Sequence, residues 1–245
     1  MLKLIVSDFD GTLMPYGARE VPQGVKDRIK RVICGGVPFA VSSGRTYREL
    51  LSFLPEFADS IYFICCDGAY YIKSGKLLYA RKIEPSDLAL FFGAARDRLS
   101  FVLHGAQNNY SFGSLPSEAA VFDPTAISRA GEIQEKIFKV TTYGAEFKPS
   151  PYSGLRMHWD GGENLSAQHV NKFANKGTAL SDLQTRLMLT KFDTACIGDS
   201  RNDAVMMKGA KYSFSVGRRC EELFAAARFH ADSAEEALDS LLSQI

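Results

Sequence analysis

The chain opens on a nearly all-apolar segment, Leu2-Lys3-Leu4-Ile5-Val6, and similar segments recur with helix-like stretches between them. A short apolar run without alternation predicts a strand buried on both faces, as in a parallel sheet. Residues 21–34 predict a helix with Val25, Ile29, Val32 and Ile33 on one face, ended by Gly35-Gly36. Residues 37–42 predict a second buried strand, 47–53 a second helix and 61–66 a third strand. This βαβαβ order implies a parallel sheet with helices on its faces. Functional groups in such sheets gather at the carboxyl ends of the strands, where Asp8, Ser43 and Asp67 fall.

The rhythm changes in the middle of the chain. Residues 70–83 predict a hairpin turning at Ser74-Gly75. Ser86 is placed to cap a helix reaching Leu99, with Leu88, Phe91, Phe92 and Ala95 inward. Short strands are predicted at 101–104, 137–142, 155–159 and 165–170, the last two separated by a turn at Gly161-Gly162. Strands beside segregated helices predict an α+β module over residues 81–173. The α/β rhythm then returns. A helix over 176–189 carries Leu180, Leu183 and Leu187 on one side, and a strand over 194–197 ends at Gly198-Asp199. A helix at 203–208, a strand at 213–216 and an amphipathic helix at 234–242 complete the pattern. The predicted fold class is α/β: a parallel-sheet core of residues 1–80 and 174–245, divided by the inserted module.

Composition narrows the function classes. A length of 245 residues with 46% hydrophobic content suffices for a core domain and a smaller one. The net charge of +1 gives no footprint for nucleic acid or a membrane surface. No apolar stretch approaches the ~20 residues of a membrane helix, and the first is too short for a signal peptide. The 5 cysteines show no metal-type spacing and read as reduced thiols, so the expected location is cytoplasmic.

Four clusters carry candidate chemistry: Asp8-Phe9-Asp10-Gly11-Thr12, Ser42-Ser43-Gly44-Arg45, Lys176-Gly177, and Gly198-Asp199-Ser200-Arg201-Asn202-Asp203. Taken alone, the first is equally an Asx-turn followed by glycine. Taken alone, Lys176 is a solvated lysine, Asn202 an N-cap and Asp203 a helix-start acid. Together they recur in one order at equivalent ends of one sheet, which suits phosphoryl transfer through an aspartyl-phosphate. An anion attacking an anionic phosphate needs charge neutralisation, which Mg2+ held by carboxylates supplies. In this reading Asp8 is the nucleophile, and Asp10 protonates the leaving oxygen and later activates water. Asp199 holds the metal and Lys176 offsets negative charge. Ser43 and backbone N–H groups near Gly11 and Gly44 hydrogen-bond the phosphoryl oxygens.

These four clusters resemble the motifs of the haloacid dehalogenase (HAD) superfamily, and within it the Cof-type hydrolases. Asp8-Phe9-Asp10-Gly11-Thr12 is similar to the first motif and Ser43-Gly44-Arg45 to the second. Lys176-Gly177 is similar to the third, and Gly198-Asp199 through Asn202-Asp203 to the fourth. The resemblance implies a Rossmann-like core, a C2-type cap inserted between the second and third motifs, and dependence on Mg2+. It further implies metal contacts from Asp8, the backbone carbonyl of Asp10, and Asp199, with Asp203 supporting them from a second layer. Asn202 is implied to contact the phosphate. Two positions depart from the pattern. Asp67-Gly68-Ala69 stands where the family often has Asn-Gly-Ala; the extra carboxylate either alters substrate choice or ties down a turn, and the turn is the preferred reading. Gly217-Arg218-Arg219 stands where relatives often carry Asn-Ala; its arginines either face an acidic group of the substrate or form solvated surface, and the surface reading is preferred.

The expected activity is hydrolysis of a small phosphorylated metabolite, plausibly a sugar phosphate. A phosphomutase uses the same acid/base group, and a non-catalytic metabolite-binding protein is the alternative from another class. The expected cap offers Asn108, Asn109, Lys148, Arg156, His158, Trp159 and Glu163 as candidate selecting groups. Its closure over the site is expected from the need to exclude water.

Overall fold

The computed structural model describes residues 1–95, 98–117, 123–143, 154–159 and 166–245. In chain order, the first α/β portion holds β1 (Leu4–Asp8), α1 (Gln23–Cys34), β2 (Phe39–Ser42), α2 (Tyr47–Phe53), β3 (Tyr62–Cys65), β4 (Tyr70–Lys73) and β5 (Lys76–Ala80). There follow α3 (Pro85–Ala95), β6 (Ser100–Gly105), β7 (Asn109–Phe112), β8 (Pro124–Ala126), β9 (Ile137–Tyr143), β10 (Leu155–Trp159) and β11 (Ser166–Asn171). The chain closes with α4 (Lys176–Arg186), β12 (Thr194–Gly198), α5 (Ala204–Met207), β13 (Tyr212–Val216), α6 (Glu221–Ala226), β14 (Phe229–Ala231) and α7 (Ala234–Leu242).

Two compact units result. The first comprises Met1–Arg45, Leu50–Tyr79 and Asn175–Ile245, and the second Thr46–Glu49 with Ala80–Ala174. The start of α2 groups with the second unit, where Arg48 donates to the Gln107 carbonyl at 3.3 Å.

The first unit is built on a sheet of order β14-β13-β12-β1-β2-β3-β4-β5. β14, β13, β12, β1, β2 and β3 run parallel, and β4 returns antiparallel to β3. Leu4 and Val6 pack on one face with Ala40, Ile64, Cys196, Leu180 and Leu183, beneath α4 and α5. The other face is covered by α1, through Val25, Ile29 and Val32, and by α7, through Ala237, Leu238 and Leu241. Burial on both faces is why these strands are apolar without alternation. The strand order reverses at β1, which lies between β12 and β2. That reversal opens a crevice at the carboxyl ends of β1 and β12, the place such sheets use for ligands.

The second unit is an α+β layer with sheet order β10-β11-β9-β6-β7-β8. Its pairs are antiparallel except β7 with β8. Phe91, Phe92 and Ala95 of α3 pack on Phe101, Leu103, Ile137, Val140 and Leu155.

Several expected boundaries move. The hairpin strand β5 stops at Ala80 rather than Ile83, and the described helix α3 starts at Pro85 and ends at Ala95. The α4 helix stops at Arg186, because Leu187 caps it and Met188 takes a left-handed φ of 55°. The helix expected at 203–208 is a tight 3-10 turn, Arg201–Asp203, followed by Ala204–Met207. The short elements β7, β8, α6 and β14 have no counterpart in the sequence reading. Asn109, a candidate selecting group, is a buried strand residue bonded to His104 Nδ1 at 3.0 Å. Lys148, Glu163, the Gly161-Gly162 turn and the side chains of Arg156, His158 and Trp159 lie outside the described residues.

Candidate active site

Each predicted site residue falls within the first unit. β1 ends at Asp8 and β12 ends just before Asp199; the parallel register pairs Ser7 with Ile197, which sets the two carboxylates side by side. The loop after β12 folds into the Arg201–Asp203 turn because Asp203 binds back onto it. Asp203 Oδ2 accepts from the Asp199 and Ser200 N–H groups (3.1 and 3.0 Å) and from Ser200 Oγ (3.0 Å). Lys176 arrives from the first position of α4, a helix fixed by reciprocal bonds between Asn175 and Thr178.

Asp8, Asp199 and Asp203 are 4%, 3% and 0% exposed, and each offers a carboxylate oxygen within 4.8 Å of the others. Lys176 Nζ donates to Asp8 Oδ1 at 2.5 Å and to Asp203 Oδ1 at 2.6 Å. Burial, then the charge of Asp203, pushes the Asp8 carboxyl well above its ordinary range. Burial also raises Asp199. Burial disfavours the Lys176 ammonium, but the charges of Asp203 and Asp8 outweigh it and hold Lys176 above its usual value. Three carboxylates thus share one ammonium, and the site carries excess negative charge.

Within this cluster of carboxylates, two buried oxygens accept no hydrogen bond from the described residues: Asp8 Oδ2 and Asp199 Oδ1. Buried carboxylate oxygens are costly to leave unpaired. Hard oxygen donors in an electronegative pocket fit a small divalent cation such as Mg2+. Asp203 is different, since Lys176 and the loop use both of its oxygens.

Asp10 is half-buried and points elsewhere. Arg45 grips it in a fork, with Nε at 3.1 and 2.9 Å from its two oxygens and Nη2 at 2.7 Å from Oδ1. The Arg45 guanidinium lies over the Phe53 ring at 5.0 Å and the Phe9 ring at 5.6 Å. Ser43 Oγ donates to Asp10 Oδ2 at 3.4 Å and accepts from the Arg45 N–H at 3.1 Å.

Gly11 has φ +83°, and a Cβ there would overlap Asp199 Oδ2 and the Tyr16 ring. Its N–H is donated to the Met14 carbonyl at 2.8 Å. That use differs from the expectation of a phosphate donor; what Gly11 provides in this structure is room. Gly44 faces Asp67, whose carboxylate would lie 3.3 Å from an added Cβ. Asn202 Nδ2 donates to Asp67 Oδ1 at 3.1 Å, while its Oδ1 accepts from Ser200 Oγ at 2.6 Å. Asp67 itself takes a left-handed φ of 55°, with its N–H on the Ser43 carbonyl. It therefore ties a turn, and Asn202 to that turn.

The sequence reading missed three residues here. Arg45 was given no role beyond its motif. Tyr16 donates its hydroxyl to Asp199 Oδ2 at 2.9 Å. Arg219, expected as solvated surface, is exposed, but its guanidinium lies 4.2 Å from the Tyr16 ring centroid. No local pattern announces either contact, because both join distant parts of the chain.

Comparison with known proteins bears on this geometry. Residues 5–245 match the haloacid dehalogenase-like hydrolase family. A 5-amino-6-(5-phospho-D-ribitylamino)uracil phosphatase of Escherichia coli is 22% identical over 247 residues, covering 95% of this chain and 91% of the relative. Among solved structures, a haloacid dehalogenase-like hydrolase from Bacteroides thetaiotaomicron superposes with a TM-score of 0.84 at 21% identity, covering 98% of this chain and 100% of that one. A HAD subclass IIB sugar phosphatase superposes at 0.78 with 18% identity, covering 98% of each chain. At such identities the structural likenesses show a shared fold, whereas the family match spans nearly the whole sequence. The chain belongs to the haloacid dehalogenase-like hydrolases, among their Cof-type phosphatases.

Proposed function

We propose that this phosphatase is Mg2+-dependent and hydrolyses a small phosphorylated metabolite of the sugar-phosphate class through a phosphoryl group carried on Asp8. The observation that carries the reading is the pairing of two unpartnered buried oxygens, Asp8 Oδ2 and Asp199 Oδ1, beside the Lys176 ammonium. When bound, Mg2+ would be held by Asp8, Asp199 and the backbone carbonyl of Asp10, and would neutralise charge on the phosphoryl oxygens. Asp203 supports that set by fixing the loop of Asp199 and the position of Lys176.

The residues then divide the work. An Asp8 oxygen attacks phosphorus as the ester P–O bond breaks, and Asp10, protonated and turned out of the Arg45 fork it occupies here, gives its proton to the departing oxygen. Asp10, now a carboxylate, takes a proton from water; that water attacks phosphorus and releases inorganic phosphate and free Asp8. Lys176 opposes the upward pull of burial and Asp203 on the Asp8 carboxyl and offsets the charge brought by substrate. Ser43, Gly44 and Asn202 line the phosphoryl position in this reading. We read residues 81–173 as a C2-type cap. Two likenesses support the substrate class: the Escherichia coli relative is named for a phosphorylated ribityl compound, and one structural neighbour is titled a sugar phosphatase.

The test is a screen of phosphorylated metabolites, with and without Mg2+, using wild type and Asp8→Asn. Phosphate release that needs both Mg2+ and Asp8, from sugar phosphates before nucleotides, is expected. Full release by Asp8→Asn contradicts the assignment of the nucleophile, and release in chelator contradicts the metal.

A further inference from the structure

Tyr16 follows Pro15 in the segment after β1, and the residue is 56% exposed. An exposed tyrosine ordinarily turns its hydroxyl to water. This one donates to Asp199 Oδ2 at 2.9 Å, across 183 residues of sequence. The bond divides the Asp199 carboxylate in two. Oδ2 is occupied by Tyr16, while Oδ1 is buried and unpartnered, like Asp8 Oδ2. Two further features hold the tyrosine in this pose. Gly11 leaves the space for its ring, since any Cβ there would overlap both the ring and Asp199 Oδ2. Arg219 lays its guanidinium 4.2 Å from the ring centroid, a cation–π contact.

We propose that Tyr16, held in place by Arg219, is a positioning residue for Asp199: it takes one carboxylate oxygen and aims the other at the cation. The inference rests on the Mg2+ reading above and adds to it a layer behind the metal ligand. Hydrogen bonds of this kind fix a ligand's orientation and raise metal affinity without touching the metal. Tyr16 does not enter the reaction itself, and Arg219 acts only through Tyr16.

Direct titration of Mg2+ by calorimetry, without substrate, tests this in wild type, Tyr16→Phe, Arg219→Ala, Arg219→Lys and Asp199→Asn. Tyr16→Phe keeps the ring and removes the donor, so Mg2+ affinity should fall about tenfold while metal-free melting stays at the wild-type value. Arg219→Ala should weaken binding by a smaller factor, and Arg219→Lys, which keeps a cation over the ring, should restore it. Asp199→Asn should abolish the binding heat. If Asp199→Asn abolishes binding but Tyr16→Phe stays within about twofold of wild type, the Tyr16 assignment falls and the metal reading stands. Tighter binding in Tyr16→Phe also overturns it, because Tyr16 would then compete with the cation. A parallel drop in melting and affinity reduces Tyr16 to a packing role and overturns it likewise. No binding by wild type overturns both readings.

Discussion

Lys176 occupies the first position of α4, where the helix dipole disfavours a cation, and it is nearly fully buried. It is tolerated because Asp8 and Asp203 both accept from it. The dependence is mutual, since each carboxylate would otherwise be a buried charge without a counter-ion. Lys176→Met should therefore cost about 3–5 kcal/mol of metal-free stability at neutral pH, read from urea unfolding. A loss under about 1 kcal/mol would mean that the carboxylates find compensation elsewhere. At this scale the sequence is informative where chemistry is concentrated in short motifs. Asp8, Lys176, Asp199 and Asp203 were all visible as charged residues at strand ends or a helix start. The roles of Tyr16, Arg45 and Arg219 were not, although Arg45 stands in the second motif, because a tyrosine after a proline or an arginine near a glycine has an ordinary surface reading. Only the fold brings Tyr16 to Asp199 and Arg219 to Tyr16.

Elements place these side chains, and the joint before α4 is the tightest. Gly68 has φ +85°, and a Cβ there would overlap the Asn175 carbonyl at the start of that helix. Gly68→Ala should cost about 2 kcal/mol or more in stability and should also lower turnover, because Lys176 moves with the helix start. Paired unfolding and rate measurements check this; wild-type turnover in the variant would show that Lys176 is placed independently of this joint. In the second unit, β6 and β11 carry buried histidines. Burial pushes His169 down to about 4, and His104 well below its usual value. The fold accepts their neutral forms. The contribution of His169 is whole above pH 6.5 and is lost as pH falls towards 4, on the order of 3 kcal/mol, and that of His104 is lost in the same direction. Unfolding midpoints across this range should fall less in His169→Gln than in wild type; equal losses would refute the assignment. The element types were legible from apolar period, because sheet and helices bury in different rhythms. The ends were less so, since capping and left-handed residues such as Leu187 and Met188 decide them. β8 and β14, at 3 residues each, are too short for any period to register.

At the scale of the whole molecule, the first unit is assembled from both ends of the chain. β1 is flanked by β2 from the first part and β12 from the second. The inserted module interrupts the sequence but not the sheet, and the return of the βα rhythm after residue 173 made this legible. The strand order that sets Asp8 beside Asp199 follows from parallel pairing, which a single sequence implies only through its alternation of strand and helix. No helix among the described residues is long and apolar enough to cross a membrane. The central claim is that phosphate passes through Asp8, and Asp10→Asn offers the most direct test. p-Nitrophenyl phosphate releases p-nitrophenolate without needing a proton, so the first step proceeds in this variant while the water-activating base is gone. With Mg2+ present, Asp10→Asn should give a burst of p-nitrophenolate equal to the enzyme and a phosphoryl group on the peptide holding Asp8 after acid quench. Release of inorganic phosphate without any phosphorylated protein, or a phosphoryl group on another residue, would contradict the account.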